Sequence, residues 1–149
     1  MPVPEVTDEM ALLVADVYEA AGVLRKSGET IAASEGQTQS RWQVLSVASG
    51  ESLTVAAAAR RLGVARQGVQ RIANDLVHDG LATFQPNPDH RNSPLIDLTP
   101  QGRRVLEGIT RRANDVHRRL AADITHAELA AARDLLRRVI TQVGLSGDA

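Results

Sequence analysis

The 149-residue sequence contains no cysteine. That absence removes disulfides, thiolate nucleophiles, thiol redox sensing and cysteine-ligated zinc. Aromatic residues are nearly missing too, at one Trp, one Tyr and one Phe. A core must therefore be built from Leu, Val, Ile and Ala, and the Ala- and Leu-rich composition favours helices because those side chains lose little rotamer freedom there. No apolar run approaches the roughly 18 residues of a membrane span. The start, Met1-Pro2-Val3-Pro4-Glu5, has neither the basic nor the apolar region of a secretory signal. The expectation is a soluble, cytoplasmic protein with no membrane partner. Lysine is reduced to Lys26, so sixteen of the seventeen basic residues are Arg, whose fork of donors suits phosphate and guanine edges.

Sites of chemistry are also lacking. His78, His90, His117 and His126 are scattered without compact metal-ligand spacing. No glycine-rich phosphate loop occurs, and no motif frames a Ser, His and Asp as a nucleophile system. Neither catalytic nor metal residues nor a cofactor are expected, and the chain does not read as an enzyme.

What is present is an uneven charge. Residues 1–59 carry three basic groups against eight acids, residues 60–112 nine against five, and residues 113–149 five against five. The net charge of −1 thus conceals a basic centre behind an acidic N-terminal segment.

Periodicity gives the organisation. Thr7 or Asp8 can cap a first helix whose apolar stripe Leu13, Val17, Ala20 and Leu24 runs on to about Ala33, with Gly28 a weak point inside. Thr38 can cap a second helix carrying Trp42, Leu45 and Ala48. Thr54 caps a short helix from Val55 to Leu62, stopped by Gly63. A fourth helix spans Arg66 to His78 and stops at Asp79-Gly80. Two short strands follow, Leu81 to Gln85 and Leu95 to Thr99. The nine residues between them include three prolines, too many for a two-residue turn, so they project as a loop. Thr99 caps, and Pro100 opens, a helix with a heptad seam of Leu106, Ile109, Ala113, Val116 and Leu120. After Asp123-Ile124-Thr125, the pair Thr125 and Glu128 forms a capping box for a last helix. The fold class expected is mainly α with a small β wing. The seams of the end helices call for pairing, with each other or with a second chain.

The centre carries the functional signal. Two helices joined by a short Gly-containing turn form the architecture that lays a second helix in a DNA major groove. At 100° per residue, Val69, Ile72, Ala73 and Leu76 form one face of that second helix. Gln67, Gln70, Arg71 and Asn74 cluster opposite, with Arg66 at the N-terminal edge. Gln and Asn can bind adenine bidentately and Arg can bind guanine. In the loop Asp89-His90-Arg91-Asn92, a projecting Arg91 can enter a narrow minor groove. Asp89 could hold Arg91 or a neighbouring Arg in place, and His90 reads as a polar loop residue. Two other readings stay open: a winged-helix module that binds protein instead of DNA, and a helical dimerisation protein whose central lobe is only structural.

The ordered set Leu62-Gly63-Val64, Arg66-Gln67-Gly68-Val69, Leu76, Gly80-Leu81, Asp89-His90-Arg91 and Leu98-Thr99-Pro100-Gln101-Gly102 resembles the MarR family of bacterial regulators. The most specific part is Asp-x-Arg, followed seven residues later by Leu-Thr-x-x-Gly. The resemblance implies one domain over 1–149, with helices in 7–35 and 100–145 forming a homodimer and 37–99 forming a winged helix-turn-helix lobe. It implies double-stranded DNA with a pseudo-palindromic operator as partner, contacted by Arg66, Gln67, Gln70, Arg71, Asn74, Asp89, His90 and Arg91. It further implies transcriptional repression relieved by a small aromatic or phenolic effector. Three departures stand out: Ala65 where the family usually has a capping Ser, Asn92 where many members carry a second Arg, and the acidic first segment.

Overall fold

A computed structural model of the chain describes residues 5–145. They form two compact units that divide after Ala113. The first holds α1 (Val6–Ala33), α2 (Gln39–Gly50), β1 (Leu53–Thr54), α3 (Val55–Leu62), α4 (Arg66–His78), β2 (Ala82–Gln85), β3 (Leu95–Leu98) and the first turns of α5 (Pro100–Leu120). The second holds the end of α5 and α6 (His126–Leu145). The fold is mainly helical with a small antiparallel sheet. Among the described residues no helix is long and apolar enough to cross a membrane.

The core of the first unit is aliphatic, as the shortage of aromatics requires. Val44, Leu45 and Ala48 of α2 meet Val55, Ala58 and Ala59 of α3, Val69, Ala73 and Leu76 of α4, and Leu81, Ala82, Ile96 and Leu98 from the sheet. Phe84, Val105 and Leu106 pack against its edge. The seam of α5 is divided: Ile109 and Ala113 are buried, whereas Leu120 is exposed. The stripe of α1 is also mostly open. Ile31 and Ala32 are buried near its end, but Met10, Val17 and Leu24 are exposed. In the second unit α6 has no buried residue, and Leu129, Leu136, Ile140 and Val143 are exposed.

Several local readings hold and some need correction. Thr38 accepts from the Arg41 amide at 3.1 Å, and Thr54 from the Ala57 amide at 3.1 Å. The first helix, however, is capped at Glu5, ahead of Thr7 or Asp8, and the Glu5 amide donates to the Asp8 carboxylate at 3.3 Å. Gly28 is no weak point: it is buried, the Gln39 side chain occupies the space that a Cβ would need, and Trp42 would stand in ordinary contact with that Cβ. A third strand, β1, pairs with β3 through Leu53–Ile96 and Thr54–Leu95. Two residues carry no alternation, so periodicity does not reveal such a strand. The strand order is β1-β3-β2, and Gln85 opposite Leu95 closes the ladder below the loop.

One junction ties the lobe together. Gly80 ends α4 at φ 76, a left-handed conformation suited to glycine. The Thr99 hydroxyl donates to the Gly80 carbonyl at 2.7 Å and accepts from the Gly102 amide at 3.0 Å. The Thr99 amide donates to the Leu81 carbonyl at 3.1 Å. Gly102 is buried against that same carbonyl, where a Cβ would lie inside the van der Waals shell of the Leu81 oxygen. The Leu-Thr-Pro-Gln-Gly run is thereby accounted for: a cap, a first-turn proline, and a glycine whose missing side chain lets α5 touch the end of α4.

In the second unit, Glu128 accepts from the Thr125 amide at 3.1 Å, and its own amide donates to the Thr125 hydroxyl at 3.1 Å. The Thr125 backbone amide and then its hydroxyl hold the Glu128 carboxyl below the usual carboxylate range. A depressed folded value favours the fold above the unfolded pKa, and that contribution is lost as the pH falls through the folded value.

Three outcomes follow. Gly102→Ala should lower stability by about 3 kcal/mol, because a backbone carbonyl cannot move aside as a flexible side chain can; urea unfolding measures it. Ala65, the N-cap of α4, has extended backbone and no side-chain hydrogen bond, so Ala65→Ser should add about 1 kcal/mol in the same assay. Carboxyl-carbon NMR should find Glu128 titrating below a free Glu, and Thr125→Ala should move it partway back.

Candidate nucleic-acid interface

The site begins with the turn between α3 and α4. Gly63 adopts φ 67, and its amide donates to the Arg60 carbonyl at 3.3 Å while the Val64 amide donates to the Ala59 carbonyl at 3.1 Å. This paired pattern closes a helix and redirects the chain within two residues. Helix α4 then starts at Arg66 with Val69, Ala73 and Leu76 wholly inside. Ile72, assigned to the same face by the helical wheel, is only half-buried. Its far end is held by Arg41 of α2, whose Nη2 lies 2.7 Å from Asp79 Oδ2 at the α4 C-cap. A guanidinium there offsets a carboxylate that the negative end of the helix would otherwise disfavour.

With that face buried, Gln67, Gln70, Arg71 and Asn74 all emerge on the exposed side, together with Arg66. The first turn holds no acid. Gln70 Nε2 donates to Asn74 Oδ1 at 3.0 Å, one turn further on. Among the described residues Arg66, Arg71 and Arg91 form no ion pair, whereas Arg61 pairs with Glu51 at 3.2 Å and Arg103 with Asp97 at 3.6 Å. The unneutralised arginines include the three assigned to the site.

The loop above the sheet is more ordered than its three prolines indicate. Asn87 Nδ2 donates to the Ser93 carbonyl at 2.9 Å, and Asn87 Oδ1 accepts from the Asp89 amide at 3.1 Å. The Asn87 carbonyl accepts from the His90 amide at 3.3 Å, and the His90 carbonyl from the Ser93 amide at 3.3 Å. Asn87 thus clasps both sides of the loop and leaves Asp89, His90 and Arg91 exposed beyond it. The reading of Asp89 as an arginine holder is not realised: among the described residues it forms no ion pair with Arg91 or with another Arg. Asn87 is the contributor that sequence reasoning passed over. Its signal was there in Asn-Pro-Asp, because an Asn side chain readily accepts from the amide two residues on.

The structure brings the two separately identified segments together. Arg66 and Gln70 of α4, Thr54, Val55 and Ala56 at the start of α3, and Asn92, Ser93 and Pro94 of the loop line one small cleft of about 40 Å3. Behind α4 lies a second, largely apolar cleft of about 210 Å3, bounded by Gln43 and Val44 of α2, Val64 and Ala65 of the turn, and Gly68 and Ile72 of α4. Among the described residues no group of three or more His, Asp or Glu is arranged to hold a metal ion.

Comparison with known proteins extends this geometry. The sequence model of the MarR family matches residues 36–91, from the approach to α2 through the wing arginine. An uncharacterized protein of Mycobacterium tuberculosis (strain ATCC 25618 / H37Rv) is 63% identical over 134 residues, covering 90% of this chain and 94% of that one. The transcriptional activatory protein BadR of Rhodopseudomonas palustris is 32% identical over 95 residues, covering 61% of this chain and 54% of BadR. The crystal structure of a mutant MarR from E. coli complexed with operator DNA superposes with a TM-score of 0.75 at 22% identity, covering 91% of this chain and 99% of that one. Residues 36–91 thus match the MarR family model, and the chain has the winged-helix fold of MarR-family transcription regulators.

Proposed function

We propose that this protein is a sequence-specific, double-stranded DNA-binding transcriptional regulator that works as a homodimer. The observation that carries the reading is the acid-free outer face of the first α4 turns, where Gln67, Gln70 and Arg71 stand exposed beside a clasped wing with an unpaired Arg91. Amide and guanidinium groups at successive helical positions match the donor and acceptor pattern of major-groove base edges. An arginine on an ordered loop suits the negative potential of a narrow minor groove. Support comes from the E. coli protein of the same fold, which is complexed with operator DNA.

The dimer is supported by what each unit leaves uncovered. Met10, Val17 and Leu24 on α1 and Leu136, Ile140 and Val143 on α6 are exposed apolar residues at helical spacing, and such stripes on a single chain mark an association surface. A second copy would bring a second α4 onto the duplex, and two-fold symmetry asks for a pseudo-palindromic site with half-sites about one DNA turn apart. In this reading the bound dimer represses, and a small aromatic or phenolic ligand releases it. The apolar cleft behind α4 supports the second point, because a single-ring molecule lodged between α2 and α4 would change how α4 presents its outer face. BadR is named an activatory protein, so transcription from a promoter carrying the operator is the measurement that sets the sign. The reading leaves no role for catalysis, metal or cofactor.

The test is DNA binding by the purified protein to its own upstream intergenic DNA, titrated against salt and random competitor. Affinity should fall steeply with salt as phosphate-bound counterions are released. Arg71→Ala should cost about 1–3 kcal/mol and relax preference at one base pair per half-site. Arg91→Ala should weaken many sequences alike and reduce the salt slope by about 1. If neither variant changes affinity, the proposed surface is wrong; if the unaltered protein shows weak, salt-insensitive association, the winged helix serves a protein partner.

A further inference from the structure

The polar residues on the outer face of α4 are not equivalent. Gln67 and Arg71 make no side-chain hydrogen bond among the described residues, whereas Gln70 and Asn74 are joined by the 3.0 Å bond from Nε2 to Oδ1. Both are exposed, and neither helps fill the core. A glutamine amide has two N–H donors and one carbonyl acceptor. Asn74 takes one donor, leaving Gln70 one N–H and its Oε1.

That remaining pair is the one adenine requires, since its major-groove edge offers the N7 acceptor and the N6 amino donor side by side. Guanine offers two acceptors, N7 and O6, so Gln70 Oε1 would face an oxygen there. The discrimination depends on which way the amide lies, because a half-turn about its terminal bond exchanges N for O. An amide free to turn presents either order. With its nitrogen on Asn74 Oδ1 the Gln70 amide presents one order, and the reverse order requires both amides to turn together, so the freedom of each side chain is already reduced before DNA arrives.

We infer that Gln70 is a specificity-determining residue that reads an adenine in each half-site, and that Asn74 is a positioning residue that fixes the Gln70 amide. The inference rests on the DNA-binding reading above and adds to it the base selected and the device that selects it. It also separates two residues that the helical wheel treats as parallel base readers.

The experiment is selection from a random-sequence duplex pool by the full chain, followed by affinity measurements on single-base variants of the selected site. The unaltered protein should prefer A·T over G·C at one pair per half-site by roughly tenfold to a hundredfold. Gln70→Ala should bring that ratio near one while preferences elsewhere in the site persist. Asn74→Ala, an exposed change to a better helix former, should reduce the ratio several-fold at the same pair. Asn74→Asp retains an oxygen acceptor for the Gln70 amide. It should bind more weakly at every sequence because of its added negative charge, yet keep the ratio. A merely structural role for Asn74 would not produce that rescue. Loss at a different base pair in Asn74→Ala would make Asn74 a direct reader and overturn the inference. Unchanged preference in Gln70→Ala would overturn it too, with the DNA reading intact. If the unaltered protein selects no sequence, the DNA reading fails and this inference falls with it.

Discussion

Everything at the candidate interface depends on the burial of one line of side chains. Val69, Ala73 and Leu76 of α4 are fully inside, against α2, α3 and the sheet. Turning α4 by a single residue would move this line about 100° and bring Gln70 and Asn74 toward the aliphatic core. A buried amide without partners costs a few kcal/mol, and Leu76 removed from the core loses about 2 kcal/mol of apolar burial. Because both terms oppose the rotation, the core sets the angular position of the outer face. Ala73 matters here because of its size: it admits α4 close to its neighbours, which larger side chains would hold off. The polar face is therefore as well placed as the core is packed, although no member of it contributes to that core.

The ends of α4 complete the constraint. Gly63 closes α3 three positions before α4 begins, Arg41 meets Asp79 at the other end, and Thr99 with Gly102 ties the following turn to α5. Much of this could be read in the sequence because it is local. Gly63, Thr54, Thr99 and the Thr125–Glu128 pair act on amides within a few residues, and the α4 wheel needs only its own period. The remainder was illegible for a physical reason. The two residues of β1 take their conformation from pairing with β3, far along the chain, and have no pattern of their own. Gly28 looked like a weak point because its neighbours Gln39 and Trp42 lie on another helix. Arg41 and Asp79 are thirty-eight positions apart. The heptad seam of α5 looked uniform, yet Ile109 and Ala113 are buried and Leu120 is open.

The charge distribution follows the same division between local and global. A net charge of −1 says little about attraction to DNA, since interactions between exposed charges are screened beyond about 8–10 Å at ordinary ionic strength. What a phosphate would meet is the local set: Arg66 and Arg71 on α4 and Arg91 on the loop, none neutralised by a described carboxylate. Five acids of the first segment, Glu5, Asp8, Glu9, Asp16 and Glu19, are exposed at the N-cap or in the first half of α1, and among the described residues none pairs with Arg66, Arg71 or Arg91. A basic patch need not make the chain basic if the acids are kept away from it.

The loop shows how the missing second wing arginine can be offset. In the proposed DNA-binding reading, Asn92 in that place would leave one guanidinium, Arg91, to supply a groove contact, so the cost of ordering it would weigh more. A flexible nine-residue loop would lose backbone entropy of roughly 1–2 kcal/mol for each residue it fixed on binding. Here the Asn87 side chain already spans the loop, holding the Ser93 carbonyl on one side and the Asp89 amide on the other. Pro88 and Pro94 restrict the backbone next to both anchors. Most of the ordering is thus done in folding, and DNA would have to fix little beyond the Arg91 side chain itself. On this argument the segment that composition marks as the loosest in the lobe is the one whose rigidity the interface most needs.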